Sequence, residues 1–311
     1  MSVTKKLLPK ISIITPSFNQ VEFLEPTICS VLMQDYVKLE YIIIDGGSTD
    51  GSVDIIRKYT DHLAYWVSEP DNGQSAAINK GFRLATGDLV GWLNSNDTYE
   101  AETLHRVANL FEQFPEIHAA HGSANWIDAS GRAISRPGPW SSRHEFGPHN
   151  ILTSNIIQPG SFWRREVFDK IGYLDEELHY VMDYEFWTRM VLAGFKFKRI
   201  SGRPVANHRM TDTAKTNAEG DKMGFERIRV MDNILADSES PTKLGLSYRM
   251  LLRQANKGCS MAYLRIAFAY VKREGYSRVA LSWLLKAVKA YPPMLFSKHL
   301  AKYLLFYQKS G

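Results

Sequence analysis

The chain has 311 residues, 44% hydrophobic and 23% charged, with a formal net charge of +5; this is the composition of a soluble globular protein with one large domain or two ordinary ones. Its two cysteines, Cys29 and Cys259, stand far apart in apolar surroundings, which argues against a disulfide framework or a cysteine zinc site and fits a reducing cytoplasm. No uninterrupted apolar stretch has the length of a signal peptide or a transmembrane helix, so we expect neither.

The first hundred residues alternate between strand-like and helix-like segments. Short apolar or β-branched runs predict strands in ISIITPS, LEYIIID, LAYWVSEP and DLVGWLN. Apolar residues at helical spacing predict helices over 21–34, over 52–59 and in SAAINKGFRLA. Because strands that alternate with helices are joined by crossovers, we predict an α/β fold with a mostly parallel sheet flanked by helices.

The same alternation continues, less regularly, to about residue 210. A helix is predicted over 102–114, and strand-like residues follow over 118–126. The stretch 135–155 is rich in Pro, Gly, Ser and His and is typical of a long loop. We then expect a strand and helix in SFWRREVFDKIG, a helix in YEFWTRMVLAGF, and short strands in FKFKRIS and PVANHRM.

Four polar residues follow predicted strands at the points where those strands end. They are Ser17, Asp45, Glu69 and Asn94. In sheets of this class, ligands bind at the carboxyl ends of the strands. We therefore expect the binding site at this edge.

The turn after the second strand, DGGSTDGS, has two interpretations. Gly46 and the next glycine would let a flat ring approach the backbone, Asp45 could accept from a ring N–H, and Ser48 could contact phosphate. The same residues also fit a plain turn whose acids cap the next helix. A short glycine motif does not decide between the two.

Other polar residues in the first hundred are equally ambiguous alone. Lys80 could neutralise a phosphate, although most single lysines near a helix are solvated. TPSFN and SEPDNGQSAAINKG place further side chains where a ligand at the sheet edge could meet them, namely Pro16, Ser17, Asn19, Asp71, Gln74 and Asn79.

Asp183, in HYVMDYEFWTRM, lies among aromatic residues at the start of a predicted helix. A partly desolvated carboxylate in a cleft has a raised pKa, which suits a general base. An aspartate that caps the N-terminus of a core helix is an equally good interpretation. Arg189, six residues later, either orients a carboxylate or lies on the surface.

Taken in order, these motifs resemble those of the inverting family 2 glycosyltransferases, which have the GT-A (Rossmann-like) fold. The resemblance extends from about residue 10 to 216 and rests on ISIITPSFNQVEFLEPTICSVLMQDY, LEYIIIDGGSTDGS, WVSEPDNGQSAAINKGF, TGDLVGWLNSND and QPGSFWRREVFDKIGYLDEELHYVMDYEFWTRM. It implies transfer of a sugar from a nucleotide-diphosphate donor to an acceptor hydroxyl, with inversion at the anomeric carbon. The family usually requires Mn²⁺ or Mg²⁺.

The resemblance also implies roles for individual residues. Asp183 would be the catalytic base, and Asp45 would contact the edge of the nucleobase. The remaining donor-binding residues would be Pro16, Ser17, Asn19, Gly46, Ser48, Asp71, Gln74, Asn79, Lys80 and Asn94. A UDP-sugar is the expected donor because it is common in this family.

The metal motif implied by the resemblance falls on LNSND and departs from the family pattern. Asn96 stands where relatives commonly have the ligating aspartate, and a carboxamide brings no charge to the cation. Asp97 is adjacent and could substitute for it. His208 is the nearest histidine to a second metal-linked position, close to Thr211. The sequence therefore predicts a weakened or altered site for Mn²⁺ or Mg²⁺, formed by Asn96, Asp97 and His208.

The C-terminal segment has a strong charge bias. Residues 242–311 carry thirteen Lys or Arg and one acid, Glu274, whereas the rest of the chain has 25 Lys or Arg and 32 Asp or Glu. AYLRIAFAYVKR and RVALSWLLKAVKAY predict basic helices that either contact an anionic membrane surface or pack on each other. We predict a GT-A domain over 1–240 and a basic helical extension over 241–311. No motif supports nucleic-acid binding.

The expected protein is a cytoplasmic glycosyltransferase, peripheral on the inner face of the membrane, that acts in polysaccharide or lipid-linked oligosaccharide synthesis on a glycan or lipid-linked acceptor. The alternative is a nucleotide-sugar-binding protein with impaired catalysis, in which Asn96 is the lesion. A Rossmann-like nucleotide enzyme of another kind is a third interpretation. The first strand is not followed by G-x-G-x-x-G, which counts against dinucleotide binding.

Overall fold

The computed structural model describes residues 8–135, 145–211, 219–275, 277–297 and 300. The chain forms two compact units. The first contains Met1–Gly147, Asn155–Glu177 and Phe195–Met210, and the second contains Pro148–Ser154, Leu178–Gly194 and Thr211–Gly311. The predicted loop over 135–155 lies partly outside the described residues.

The first unit is built on a seven-stranded sheet of order β3-β2-β1-β4-β8-β6-β9. Strands β1 to β4 are mutually parallel neighbours, whereas β8 runs antiparallel to both β4 and β6. The mostly parallel α/β sheet predicted from the sequence is therefore confirmed. The bounds of its strands are β1 Ile11–Ser17, β2 Leu39–Asp45, β3 Tyr65–Ser68, β4 Leu89–Trp92, β6 Ala119–His121, β8 Ser161–Arg164 and β9 Phe197–Arg199.

Five helices accompany this sheet, and their buried faces follow the apolar spacing of the sequence. One hydrophobic core contains residues of α1 and of the first two strands: Leu24, Ile28 and Val31 of α1, Ile11 and Ile13 of β1, and Tyr41 and Ile43 of β2. The helices are α1 Val21–Leu32, α2 Ser52–Lys58, α3 Gln74–Leu84, α4 Thr103–Gln113 and α5 Val167–Ile171.

A second, three-stranded sheet of order β5-β10-β7 belongs to the same unit. Its strands are β5 Thr98–Tyr99, β7 Ala124–Ile127 and β10 Ala206–Arg209. β10 pairs antiparallel with β5 and parallel with β7. Because β5 directly follows the turn after β4, this small sheet holds that turn from beyond the strand end.

The second unit is helical in its described residues. Its helices are α6 Met182–Leu192, α7 Gly220–Ala236, α8 Ser240–Leu244, α9 Tyr248–Glu274 and α10 Arg278–Ala290. α9 packs against both α7 and α10, and the Ser260 hydroxyl of α9 donates to the Ala287 carbonyl of α10 at 2.7 Å.

The division into units differs from the domain boundary predicted at residue 240. α7 lies before that boundary, yet it belongs to the same unit as the C-terminal helices and packs against α9, and its buried residues include Val230, Met231 and Ile234. Within the described part of the chain, no helix is both long enough and apolar enough to cross a membrane.

Candidate functional site

The carboxyl ends of the first three strands are in register. Ser17 pairs with Asp45, and Asp45 pairs with Ser68. The chain after each strand is fastened to its neighbour: the Gly46 N–H donates to the Ser17 carbonyl at 2.8 Å and the Glu69 N–H to the Asp45 carbonyl at 3.0 Å. The strand ends therefore form one continuous polar edge, as the sequence predicts.

The strand order reverses direction between β1 and β4, because β2 and β3 lie on one side of β1 and β4 on the other. Ser17 ends β1, and Asn94 follows β4 by two residues. Ligands of open α/β sheets bind in the crevice at such a reversal. These two residues therefore mark the expected ligand position.

The Ser17 hydroxyl is an unusual feature of this position. Ser17 is only 3% exposed, and its hydroxyl oxygen has no hydrogen-bond partner among the described residues. A buried hydroxyl without a partner carries a free-energy penalty that a ligand can remove. Ser17 is thus a strong candidate to contact a bound molecule.

Asp45 is completely buried, and its carboxylate is surrounded by donors. Oδ1 accepts from the Ser48 hydroxyl at 2.6 Å, and Oδ2 accepts from the Ser68 hydroxyl at 2.7 Å and from the N–H groups of Gly47 at 3.1 Å and Ser48 at 2.8 Å. A carboxylate has about four acceptor positions. Because Oδ1 accepts only one of these four bonds, a direct contact to a nucleobase, as the resemblance implies, would have to be made at Oδ1.

The glycines after Asp45 are required by the shape of this turn. Gly47 has φ of +82°, a conformation that glycine adopts without strain. A Cβ at Gly46 would lie 2.7 Å from Oδ2 of Asp71. The turn therefore depends on both glycines and brings Asp71 against the backbone of the strand end.

Asn19 connects the end of β1 to the same turn. Its N–H donates to the Ser48 hydroxyl at 2.8 Å, and its side-chain oxygen accepts from the Thr49 N–H at 3.0 Å. Pro16 lies within β1 and is buried beside the second strand. Asn19 therefore fastens the end of β1 to the turn after β2. The neighbouring Phe18 is 60% exposed.

A chain of carboxamides joins three elements across the strand reversal. The Gln74 amide at the start of α3 donates to Asn94 Oδ1 at 2.9 Å, and the Asn94 amide donates to Gln158 Oε1 at 3.1 Å. The Gln158 amide in turn donates to the Trp92 carbonyl at 2.8 Å. Asn94 is thereby held in one orientation at the ligand position.

Two other predicted donor-binding residues are engaged elsewhere. The Asn79 side chain is 1% exposed, donates to the Leu174 carbonyl and to Glu176, and accepts from the Leu174 N–H. The structure therefore assigns Asn79 to fixing the loop at 174–176 and does not bring it to the crevice. Lys80 forms an ion pair with Glu69, just beyond β3.

Asp97 is buried beneath the LNSND turn and is held by β10. Its Oδ1 accepts from the Arg209 N–H at 2.8 Å, and its Oδ2 lies 3.1 Å from Nδ1 of His208. The Arg209 guanidinium also donates to the Asn96 carbonyl at 2.9 Å and lies over the Phe23 ring. Asp97 therefore fixes the His208 ring and the turn.

This arrangement does not fit a preformed cation site. Among the described residues, no group of three or more His, Cys, Asp or Glu side chains could hold a metal ion. Both oxygens of Asp97 face N–H or ring-nitrogen partners, and Asn96 adds no charge. The structure brings two of the three predicted metal residues together, Asp97 and His208, at 3.1 Å, and the role of Asp97 as a substitute ligand stays a prediction.

Asp183 lies on the first turn of α6, in the second unit. The three residues before this helix are fastened by one carboxylate, that of Glu226 in α7. It accepts from the N–H groups of His179 at 2.9 Å, Tyr180 at 2.8 Å and Val181 at 3.1 Å. Glu226 therefore sets the backbone that leads into Asp183.

Neighbouring side chains make the same region rigid. The Arg227 guanidinium lies 4.0 Å from the ring centroid of Tyr184, and the burial of Tyr184 raises the pKa of its hydroxyl. Arg189 forms a two-pronged ion pair with Glu185, at 2.6 and 2.9 Å. The arginine thus orients a carboxylate, as one interpretation of the sequence held, and that carboxylate is Glu185.

Several residues of the site carry no recognisable signal in the sequence. Ser68 and Gln158 were not predicted, although both lie beside predicted residues at strand ends. Glu226 lies 45 residues after Val181, beyond the range of any local pattern. The predicted candidates divide between two units, with Asp183 in the second and the others in the first.

Comparison with known proteins identifies the family. The model for "Glycosyl transferase family 2" matches residues 12–172. An uncharacterized glycosyltransferase of Nostoc sp. is 31% identical over 182 residues, which are 53% of this chain and 54% of that protein. A "PGL/p-HBAD biosynthesis glycosyltransferase" of Mycobacterium bovis is 28% identical over 58% of this chain and 69% of that protein.

Two solved structures share the fold at low sequence identity. TarS of S. aureus, solved in complex with UDP-GlcNAc, is 17% identical, with a TM-score of 0.63 and 91% of each chain covered. The mannosyltransferase PcManGT of Pyrobaculum calidifontis was solved in complex with GDP-Man and Mn²⁺ and is 19% identical. Its TM-score is 0.61, and the match covers 96% of this chain and 86% of PcManGT. These likenesses confirm the predicted GT-A fold. The chain belongs to glycosyl transferase family 2.

Proposed function

We propose that the protein is an inverting glycosyltransferase that moves a sugar from a UDP donor to the hydroxyl of a glycan or lipid-linked acceptor, in polysaccharide or lipid-linked oligosaccharide synthesis. The observation that carries the donor site is the buried Ser17 hydroxyl at the strand reversal, which has no hydrogen-bond partner in the described part of the chain. A relative named as a PGL/p-HBAD biosynthesis glycosyltransferase supports a role in a biosynthetic pathway.

The chemistry of this proposal needs one base and one leaving group. The Asp183 carboxylate removes the proton from the acceptor hydroxyl, and the oxygen attacks the anomeric carbon from the face opposite the diphosphate. The new C–O bond forms as the bond to the diphosphate breaks, and the electron pair leaves with the nucleoside diphosphate. Attack from the opposite face inverts the anomeric configuration.

Donor binding falls to the first unit. The Ser17 hydroxyl donates to the donor, and Gln74 and Asn94 present fixed carboxamides at the same crevice. The Gly46–Ser48 turn, held by Asp45, lets the nucleotide approach the backbone closely. Asp71 lies beside Gly46 of this turn, and Lys80 pairs with Glu69, whose own N–H donates to the Asp45 carbonyl.

The metal requirement of the family is the part of the proposal that this chain alters. A divalent cation, when present, would offset the charge of the diphosphate. Asn96 and Asp97, whose oxygens already have partners, offer a poor ligand set for a cation. Backbone and side-chain donors of the crevice therefore provide most of the stabilisation of the negative charge on the leaving diphosphate. Cation dependence should accordingly be weak.

The alternative function is nucleotide-sugar binding without transfer. The carboxamide of Asn96, which stands in place of a carboxylate, favours this alternative as well as the weak cation dependence. The two functions differ in turnover, because a binding protein holds the donor without hydrolysing or transferring it. For the transferase, the proposed location is the cytoplasm, at the inner face of the membrane.

Calorimetric titration of UDP, GDP and TDP into the purified protein tests the donor site. We expect UDP to bind most tightly, and Ser17→Ala to weaken that affinity about tenfold because a hydrogen bond to a charged group is lost. Ser12→Ala is the matched control, since Ser12 lies at the opposite end of β1 and donates to Glu40. Equal UDP affinity in wild type and Ser17→Ala would refute this placement of the donor.

Transfer is tested separately by donor hydrolysis with UDP-sugars. We expect turnover that Asp183→Asn reduces at least about 1,000-fold while UDP affinity is retained, because only the base is removed. Nucleotide binding with no hydrolysis or transfer by the wild type would instead support the binding function.

A further inference from the structure

The first half of α9 exposes a stripe of like charges in the second unit. Arg249, Arg253 and Lys257 follow at intervals of four residues, so they lie above one another on one face of the helix. All three are exposed. Among the described residues, none of the three forms an ion pair with an acid.

Such a stripe is unfavourable to the isolated protein. Like charges four residues apart on a helix repel one another and destabilise it slightly. Some other basic residues of the same unit have acidic partners: Lys243 pairs with Asp237 and Glu239, and Lys222 pairs with Glu219. The unpaired stripe therefore indicates an anionic partner outside the unit.

Apolar side chains border the stripe. Tyr248 and Leu252 lie on one side of it and Met250 on the other, with exposures of 58%, 37% and 52%. The opposite face of the helix, which includes Leu251 and Ala255, is buried. The exposed surface of this half-helix thus combines unpaired cations with bare hydrocarbon.

The next helix has an outer face of the same kind. Leu281 and Leu285 of α10 are 57% and 62% exposed, and on the same face of the helix Arg278 precedes them and Lys289 follows them. Phe296, in the turn that follows, is 92% exposed. Two consecutive helices of this unit therefore expose cations together with large apolar groups.

We propose that the first half of α9 and the outer face of α10 bind the surface of a bilayer that contains anionic phospholipid. Anionic headgroups complement the unpaired stripe, and the exposed Leu, Met and Phe side chains enter the boundary of the acyl chains. A nucleic acid would satisfy the cations but leave this hydrocarbon in water. The helices lie on the bilayer and do not span it.

The test is co-sedimentation of the full-length protein with vesicles, either of phosphatidylcholine alone or of phosphatidylcholine mixed with phosphatidylglycerol. We expect binding only to the anionic vesicles, and release as salt rises because screening weakens surface electrostatics. The triple variant Arg249→Gln, Arg253→Gln, Lys257→Gln should lose on the order of 100-fold in partitioning, since each basic residue near an anionic surface contributes roughly a fivefold effect.

The matched control removes three exposed cations from the first unit: Arg57→Gln, Lys58→Gln, Arg132→Gln. It has the same net charge as the triple variant of α9, and we expect it to bind vesicles like the wild type. A second variant, Leu281→Gln with Leu285→Gln, keeps every charge and should lose about tenfold through the apolar contacts alone. Met33→Gln with Val37→Gln, two residues 79% and 85% exposed in the first unit, is its control.

The proposal would be overturned by equal losses in the α9 variant and the cation control, or by equal binding of the wild type to neutral and anionic vesicles. In a further competition, duplex DNA is added to vesicle-bound protein. If DNA displaces the wild type and the apolar variant from the vesicles to the same extent, a nucleic acid is favoured as the partner instead. UDP affinity, measured on every variant, reports the donor site separately. The proposed lipid binding can therefore be refuted while the proposed transferase function stands, and the transferase function can be refuted while the lipid binding stands.

Discussion

The carboxylate of Glu226 accepts a hydrogen bond from the backbone N–H of Val181 at 3.1 Å, two residues before Asp183. The same carboxylate also accepts from His179 and Tyr180, so a single side chain of α7 fixes the whole approach to α6. If Asp183 is the base, its position is set by a residue that never contacts the substrate.

We predict that Glu226→Gln lowers kcat about tenfold with little change in UDP affinity. A carboxamide accepts through one oxygen only, so at least one charge-assisted bond to the backbone is lost and Asp183 is held less firmly. Donor hydrolysis and calorimetry measure the two quantities. The control is Glu239→Gln, an exposed glutamate of the same unit that pairs with Lys243.

A purely structural role for Glu226 would give a different pattern. In that case Glu226→Gln would lower the thermal midpoint, while the turnover of the folded fraction would equal that of the wild type. Glu226→Asp provides a further check, because it keeps the charge and should recover part of kcat if the three backbone bonds matter for positioning.

The strand ends could be predicted from the sequence, whereas the partners of the residues there could not. IIIDGG gives a buried strand and a turn because apolar runs and glycines act locally. Asp45 accepts from Ser68, 23 residues later in the sequence. Asp97 is paired with His208 and Arg209, 111 and 112 residues later. No period in the sequence reports contacts of that separation, so the sequence alone does not give the partners that these two carboxylates have in the folded chain.

Asp45→Asn should both destabilise the first unit and weaken nucleotide binding. An amide nitrogen would replace one acceptor oxygen and face donors of the Gly47–Ser48 turn, which leaves buried donors unpaired. We expect the free energy of unfolding to fall by about 2–3 kcal/mol, and UDP affinity to fall about tenfold as the turn loosens. Urea unfolding and calorimetry test this, with the exposed Asp61→Asn as control. Unchanged stability would show that the buried network is not formed.

Asn96→Asp should increase the response of the protein to Mn²⁺. In the wild type we expect Mn²⁺ to change UDP affinity less than about threefold, because the turn offers a carboxamide and an engaged carboxylate. The substitution adds a charged oxygen ligand at the position where the family pattern has one. Titration of UDP with and without Mn²⁺ measures the effect. A wild type whose UDP binding requires Mn²⁺ would show that the asparagines and Asp97 hold the cation after all.

His121 gives the fold a specific weakness towards mild acid. It ends β6, is 1% exposed, and neither ring nitrogen has a hydrogen-bond partner among the described residues. Burial, helped by the charge of Arg199, lowers the pKa of His121 from 6.5 to about 4. The folded state therefore favours the neutral ring, and the unfolded chain takes up a proton first as the pH falls.

The resulting loss of stability has a defined direction and window. Stability is complete above the unfolded pKa of 6.5 and decreases as the pH falls towards the folded value of about 4. The total loss is roughly 3 kcal/mol at 2.3RT per pH unit. Glu40 adds a loss only at lower pH: burial raises its pKa, but hydrogen bonds from Lys10, Ser12 and Thr86 outweigh this and lower it from 4.5 to about 2.

We predict that His121→Leu removes most of the pH dependence of unfolding between about pH 6.5 and about pH 5, because the replacement cannot take up a proton in the unfolded chain. Urea unfolding of both proteins at the two pH values measures the difference. His62→Leu is the control, since His62 is an exposed histidine on a short turn. The same slope in wild type and His121→Leu would mean that His121 is not the group that resists protonation.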